Sequence, residues 1–266
     1  MRLKEKLQGA VPEVLLTRLS GRMHIIGDIA ILSIPPELDR YGVQIGQAAL
    51  STAGGIKSVF KKTSGLHGER RVASLEHLAG RAGTVTVHRE YGHIYRLDVA
   101  EVFFNSRLGY ERMRVASAVQ AGEEVLLAFA GVGPFAVPLA ARGASVLALE
   151  KSLKACLFLA ENARLNRVAH RIAIVNGDAL QSASLLKKQF DRAVLPAPYG
   201  LEGVIEAALP LVKWGGWLHY YTFKKPSQIG PLARDFEDMG LEAVNCRRCG
   251  NVAPQVSRWA FDLKKS

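Results

Sequence analysis

The stretch LLAFAGVGPFAVPLAARGASVLALE, Leu126 to Glu150, constrains the fold more than any other part of the chain. An apolar run stops at a glycine turn, a helical stretch follows, and a second apolar run ends in an acid. Two such runs joined by a helix read as parallel strands with a crossover. Gly131-Val132-Gly133-Pro134-Phe135-Ala136 fits the loose G-x-G-x-x-G/A pattern of nucleotide-binding turns. Glycine lets the backbone turn sharply and approach a ligand. Pro134 has a preset φ suited to a first helical turn. Glu150, at the end of the second run, can accept hydrogen bonds from ribose hydroxyls. NAD and S-adenosylmethionine (SAM) both satisfy this much, and so does a tight β–α turn with no ligand.

The remainder of the chain narrows the choice. From about Glu111 onward, the runs EVLLAFA, SVLALE, RIAIVNG, DRAVLPA, GWLHYYTF, EAVNCRRC and VSRWAFDL read as strands. Amphipathic stretches over 133–142, 152–166, 181–189 and 201–213 separate the first five, and a helix is expected near 226–239. This predicts a mainly parallel, doubly wound α/β sheet. The short link GNVAPQ makes the last two strands antiparallel. SAM-binding sheets have seven strands with the last reversed, and no further phosphate-binding features of NAD domains are evident. Asn176 to Ala179, NGDA, follows the third strand and sets Asp178 where it can meet an adenine amino group. The fourth strand ends in PAPYG, and ligands of such sheets lie over these carboxyl ends.

Residues 1–110 read differently, as a smaller α+β domain preceding the SAM domain over 111–266. MHIIGDIAILSI suggests paired strands around Gly27-Asp28. TVTVHREYGHIYRLDV alternates and turns at Tyr91-Gly92, and GVQIGQAALSTA is helical. No run approaches the ~18–20 apolar residues that span a bilayer. The N-terminus lacks a signal-peptide pattern, so a soluble cytoplasmic protein is expected, and a monomer is the expected state. Cys156, Cys246 and Cys249 make no disulfide framework, and the lone CxxC of CRRC falls short of a four-ligand zinc site, so no metal is expected. The formal net charge is +11, with a basic surplus in both halves. A polyanion touching both domains fits that balance. Lys57, Lys61, Lys62, Arg89, Lys224 and Lys225 are the candidate contacts.

Six motifs, in order, carry a resemblance across roughly residues 15–264. They are HGERR (67–71), LDVAEVFFNSRLGYERMRVA (97–116), FAGVGPF (129–135), ENARLNRV (161–168), GGWLHYYTF (215–223) and APQVSRWAFDL (253–263). The chain resembles the archaeal and eukaryotic-type tRNA (guanine-N1)-methyltransferases, which modify the guanine 3′ of the anticodon. It is similar also to their sister enzymes of wybutosine synthesis, which transfer the aminocarboxypropyl group of SAM. The resemblance implies tRNA as partner, SAM as cofactor, Glu111 as general base and Arg71 as its assisting cation. A carboxylate can take the N1 proton of guanine as the sulfonium carbon arrives, and a guanidinium can stabilise charge on O6. The two are expected to meet at the domain junction. SAM is expected across Phe129, Gly131, Gly133, Glu150 and Asp178, with Arg112, Ala130, Lys151, Ala179 and Pro196 completing the candidate set.

Three positions depart from the family pattern. Leu127 replaces the acid of DMFAG. Pro196-Ala197-Pro198 replaces NLP, removing a side-chain amide that helps hold the target base. Phe103 replaces a tyrosine. The wybutosine branch also departs from NLP, and ALEKS (148–152) is similar to its second strand, whereas Arg107 of FNSRL is typical of the methyltransferase branch.

Overall fold

The computed structural model describes residues 3–52, 54–65 and 72–266. The chain divides into two units, Met1–Ser106 and Arg107–Ser266.

In the first unit, helices α1 (Leu3–Lys6), α2 (Glu13–Arg18) and α3 (Gly42–Leu50) accompany strands β1 (His24–Ile26), β2 (Ile29–Leu32), β3 (Ser58–Lys62) and β4 (Leu75–Gly80). The strands form one sheet in the order β1-β2-β3-β4, with only the β2/β3 pair parallel. Leu32, Ile45, Ala49, Val59 and Leu78 bring α3 against this sheet in the apolar core. A separate hairpin pairs β5 (Val85–Glu90) with β6 (His93–Asp98). It turns where the pattern places it, with positive φ at Tyr91 and Gly92, as a two-residue hairpin loop requires. The β1–β2 turn is tied to this hairpin: Gly27 N–H donates to His88 Nδ1 at 3.2 Å, and Asp28 N–H to Thr86 Oγ1 at 3.1 Å. A Cβ on Gly27 would collide with Thr86 and Val87, so that position needs glycine. Strands β3 and β4 carry no clear alternation and were not foreseen; KSVFKK becomes strand through pairing with both neighbours.

The second unit contains α4 (Gly109–Ser117), β7 (Glu124–Ala128), α5 (Ala136–Ala141), β8 (Ser145–Glu150), α6 (Leu153–Leu165) and β9 (Ile172–Asn176). There follow α7 (Ala179–Leu185), β10 (Phe190–Pro196), α8 (Val204–Ala208), β11 (Val212–Lys224), α9 (Ile229–Asp238), β12 (Leu241–Ala253) and β13 (Val256–Lys265). The seven strands run in the order β12-β13-β11-β10-β7-β8-β9. Strand β13 is antiparallel to both β11 and β12, and the pairs from β11 to β9 are parallel. Central strand β7 is covered on both faces, which is why VLLA reads as an unbroken apolar run. Helix α4 starts at Gly109, so residues 107–110 lie with the second unit.

Candidate active site

The sheet order places the site. Strand β7 has β8 on one side and β10 on the other. The chain therefore leaves β7 in one direction and returns to its other flank later, which opens a crevice over the carboxyl ends of β7 and β10. The glycine turn fills this switch point. Phe129, Gly131 and Gly133 all have positive φ, at 54°, 56° and 93°. For phenylalanine that conformation costs on the order of 1–3 kcal/mol, so the surroundings must impose it.

Four contacts do so. Ala130 N–H donates to Leu149 O at 3.0 Å. Gly131 N–H donates to Glu150 Oε2 at 2.8 Å. The wholly buried Asn162 of α6 donates through Nδ2 to Val132 O at 2.9 Å, which gives the ENARLN motif its structural role. Leu159 lies where a Cβ on Gly133 would need to be. The other Glu150 oxygen accepts from Ser152 N–H at 2.8 Å. A carboxylate has about four acceptor sites, so two of them remain for ribose hydroxyls.

Neighbouring loops are fastened in the same way. Asn176 Nδ2 donates to Glu150 O and Lys151 O, at 3.0 and 2.8 Å, tying the ends of β8 and β9 together. Asp178 caps α7, its Oδ1 accepting from Leu180 and Gln181 N–H at 3.0 and 3.4 Å. Its Oδ2 lies 3.7 Å from Lys151 Nζ. Ala179 is buried in the first turn of α7. Pro196 ends β10 in register with Tyr221 of β11.

Glu111 is not the solvated helix-start acid that its residue type suggests. It is 3% exposed, and Arg112 beside it is 2% exposed. Its Oε2 accepts from Arg114 Nε at 3.0 Å and from Tyr221 O–H at 3.3 Å. Its Oε1 lies 3.2 Å from Arg247 Nε, yet that oxygen is buried without a hydrogen bond. The Tyr221 ring packs on Phe135 of the glycine turn, with centroids 5.5 Å apart. One tyrosine thus links the carboxylate to the turn. Burial, with the charge of Glu111 adding to it, pushes the Tyr221 phenol well above its usual range, so it stays a hydrogen-bond donor.

A row of buried charges continues behind Glu111. Arg114 binds Asp262 of β13 through Nη1 and Nη2, at 2.6 and 3.0 Å. Asp262 also meets His219 Nδ1 at 2.6 Å and Asn245 Nδ2 at 2.9 Å. His219 Nε2 faces Arg192 Nη1 at 2.6 Å, and Arg192 Nε reaches Glu123 at 2.9 Å. Arginine only donates, so Nε2 accepts and the histidine proton sits on Nδ1, facing Asp262. Burial lowers the His219 pKa, and the charges of Arg192 and Arg114 add to that against the pull of Asp262. Burial would raise the Asp262 carboxyl, but hydrogen bonds from His219 and Arg114 outweigh it and hold the group well below the usual carboxylate range.

Residues 86–243 match the family model described as the TRM5/TYW2 methyltransferase domain, and residues 3–84 match the TYW2 N-terminal domain. The chain is 36% identical over 264 residues to the tRNA (guanine(37)-N(1))-methyltransferase Trm5b of Pyrococcus abyssi, covering 96% of this chain and 78% of that protein.

The chain belongs to the TRM5/TYW2 methyltransferase family.

It is also 35% identical over 272 residues to the tRNA(Phe) (4-demethylwyosine(37)-C(7)) aminocarboxypropyltransferase of Pyrococcus horikoshii, covering 99% of this chain and 96% of that one. Among solved structures, the complex of aTrm5 with tRNALeu superposes with a TM-score of 0.88 at 30% identity, over 100% of this chain and 78% of that one. As a TRM5/TYW2 protein the chain is a SAM-dependent transferase.

The departures from the family pattern have structural settings. Leu127 is fully buried, in register with Val194 and Ala148. An aspartate there would sit between apolar neighbours, at a high desolvation cost. Pro196 and Pro198 lack backbone N–H groups, and Ala197 N–H turns back to Leu195 O at 2.8 Å. Arg71 lies outside the described residues. Of the basic candidates, Lys61 is held by Asp39 at 2.7 Å and by Glu76 at 3.5 Å, which weakens its claim as a nucleic-acid contact. Sequence reasoning missed Arg114, Asn162, Asn176, Arg192, His219, Tyr221, Arg247 and Asp262. Arg114, Asn162, His219, Tyr221 and Asp262 fall within motifs that carry the resemblance, and Arg114 has in addition its i,i+3 spacing from Glu111.

Proposed function

We propose that this protein uses SAM to methylate N1 of the guanine on the 3′ side of the tRNA anticodon. The observation that carries this reading is the buried Glu111 carboxylate, linked through Tyr221 to the cofactor turn, with one oxygen lacking a hydrogen bond. A buried carboxylate oxygen without a hydrogen bond, 3.2 Å from the Arg247 cation, can receive the N1 proton. As it does so, the N1 lone pair forms a bond to the methyl carbon, and the C–S bond breaks to leave a neutral thioether. SAM would lie across Phe129, Gly131, Gly133, Glu150 and Asp178. Membership of the family and the named reaction of the P. abyssi relative support the assignment.

In this reading the first unit positions the RNA; the part that the resemblance gives to Arg71 falls on a residue outside those described. The protein acts as a cytoplasmic monomer. No helix among the described residues is long and apolar enough to cross a membrane, and no group of three or more His, Cys, Asp or Glu among them could hold a metal.

A second reading, aminocarboxypropyl transfer to a wyosine precursor, is favoured by the TYW2 N-terminal match and by the near-complete coverage of the P. horikoshii enzyme. Mass spectrometry of tRNA nucleosides after incubation with SAM separates the two. A gain of one methyl on guanosine supports the first reading, and an aminocarboxypropyl gain on a tricyclic base supports the second. Tight RNA binding with no gain in mass would indicate a protein that has kept the fold and lost catalysis.

A further inference from the structure

The sequence Cys246-Arg247-Arg248-Cys249 has no part in the reading above, yet one of its side chains, Arg247, reaches Glu111. Strand β12 lies at the edge of the sheet, and its alternation turns successive residues to opposite faces. Arg247 is partly buried, whereas Cys246 and Arg248 on either side are exposed. Arg247 Nε lies 3.2 Å from Glu111 Oε1, the oxygen that is buried without a hydrogen bond. The guanidinium carbon Cζ of Arg247 lies over the Tyr110 ring, 4.8 Å from its centroid, and Tyr110 is 59% exposed. The arginine side chain keeps 36% of its surface open, against 4% for the Glu111 side chain. Arg247 therefore spans the step from solvent to the buried oxygen.

We propose that Arg247 is a second catalytic residue, a cation that the acceptor base meets as it reaches Glu111. The proposal rests on the reading of Glu111 as the general base. When the N1–H of a guanine points at Oε1, O6 is carried by the adjoining ring carbon and comes to the same cation. Transfer of the N1 proton to Glu111 leaves electron density shared between N1 and O6 until the N1–C bond forms and the sulfonium loses its charge. A guanidinium fixed beside the carboxylate stabilises that density without reorganising at the moment of reaction. The guanidinium stays over the Tyr110 ring while an N–H turns from Oε1 to O6, so the ion pair with Glu111 gives way to a hydrogen bond to substrate. This adds to the part given to Arg71 and is supplied from the same unit as the base.

The test compares Arg247→Ala, Arg247→Lys, Arg248→Ala and Glu111→Gln in single-turnover assays with tRNA and SAM, alongside calorimetry for SAM and filter binding for tRNA. Arg247→Ala should lower the rate at saturation by ~10²–10³-fold, the scale of one lost charge-stabilising donor, with SAM affinity unchanged. Arg247→Lys should recover part of that loss, and guanidinium ion added to Arg247→Ala should restore rate. Arg248→Ala should turn over normally. If Arg247→Ala fails to fold, Arg247→Met keeps the aliphatic stem and takes its place. A native rate in Arg247→Ala while Glu111→Gln is inactive overturns the role of Arg247 and leaves the base in place. Native rates in both variants overturn the reading of Glu111 itself. A loss confined to tRNA affinity, with saturated turnover intact, would make Arg247 an ordinary phosphate contact and also refute the proposal.

Discussion

Arg114 grips Asp262 with two parallel hydrogen bonds, 2.6 and 3.0 Å, across 148 positions of sequence. Because Arg114 also holds Glu111, this clamp sets where the candidate base points. Burial works against the Arg114 charge, but the hydrogen bonds and charge of Asp262 outweigh it and raise its pKa further. Removing Asp262 would take a partner from Arg114, His219 and Asn245 at once. Asp262→Ala should cost about 3–5 kcal/mol of unfolding free energy, the range for breaking one side of a buried pair. Urea denaturation monitored by tryptophan fluorescence measures it. Asp262→Asn should cost less, because an amide keeps one acceptor.

Stability should fall with acid before the carboxylates titrate. The His219 pKa is lowered in the folded state, so below the ordinary histidine value of about 6.5 the unfolded chain takes up a proton that the native site refuses. The unfolded state then binds more protons, and stability rises with pH through that window by at most about 1.4 kcal/mol per pH unit from this group. The contribution is present above pH 6.5 and is lost as pH falls from there toward the lowered folded value. His219→Gln should flatten the slope between pH 6.5 and 5 in denaturation curves. An unchanged slope would mean that other groups carry it.

Glu150 holds the glycine turn and is the proposed acceptor for the ribose of SAM. Glu150→Ala should remove the acceptor of Gly131 and Ser152 N–H together with the ribose contacts. Each lost hydrogen bond is worth roughly 0.5–1.5 kcal/mol, so SAM affinity should drop by about 10–100-fold or more in calorimetry. Good binding of NAD by the native protein, with none of SAM, would overturn the cofactor site.

Glu111→Gln preserves size and most contacts but cannot take a proton. Single-turnover rates with saturating SAM and tRNA should fall by about 10²–10⁴-fold, with SAM affinity hardly changed. Unaltered turnover would place the base elsewhere.

Binding of tRNA should weaken steeply as salt rises, because phosphate contacts release counterions. Lys57→Ala, Arg89→Ala and the Lys224/Lys225 double variant should each lessen the salt slope in filter-binding assays. Lys61→Ala should do so least, since its ammonium already faces Asp39 and Glu76. A flat salt dependence would count against a nucleic-acid substrate.

What the sequence determined by itself was local. The change from smooth apolar runs to amphipathic stretches marks β7 to β11 and the helices between them, because strand and helix have different side-chain periods. The short stretch GNVAPQ leaves no room for a crossover, and β12 and β13 are antiparallel, although Gly250 to Ala253 belong to β12 and the turn is Pro254-Gln255 alone. Tyr91-Gly92 and Gly131 to Gly133 announce turns because few residues tolerate positive φ. The ends of helices were less legible: α5 spans Ala136–Ala141 where 133–142 was expected, since Gly133 and Pro134 belong to the turn. Tertiary structure alone decided the rest. Nothing in the residue type of Glu111 foretells its burial, which follows from α4 lying against a sheet face that carries Tyr221 and Asp262. Phe129 is bent into a glycine-like conformation by neighbours from β8 and α6. Arg192, His219, Asp262 and Arg114 come from four different elements. Only the order and register of the strands set them side by side, and that order is fixed by packing between distant segments rather than by any local pattern.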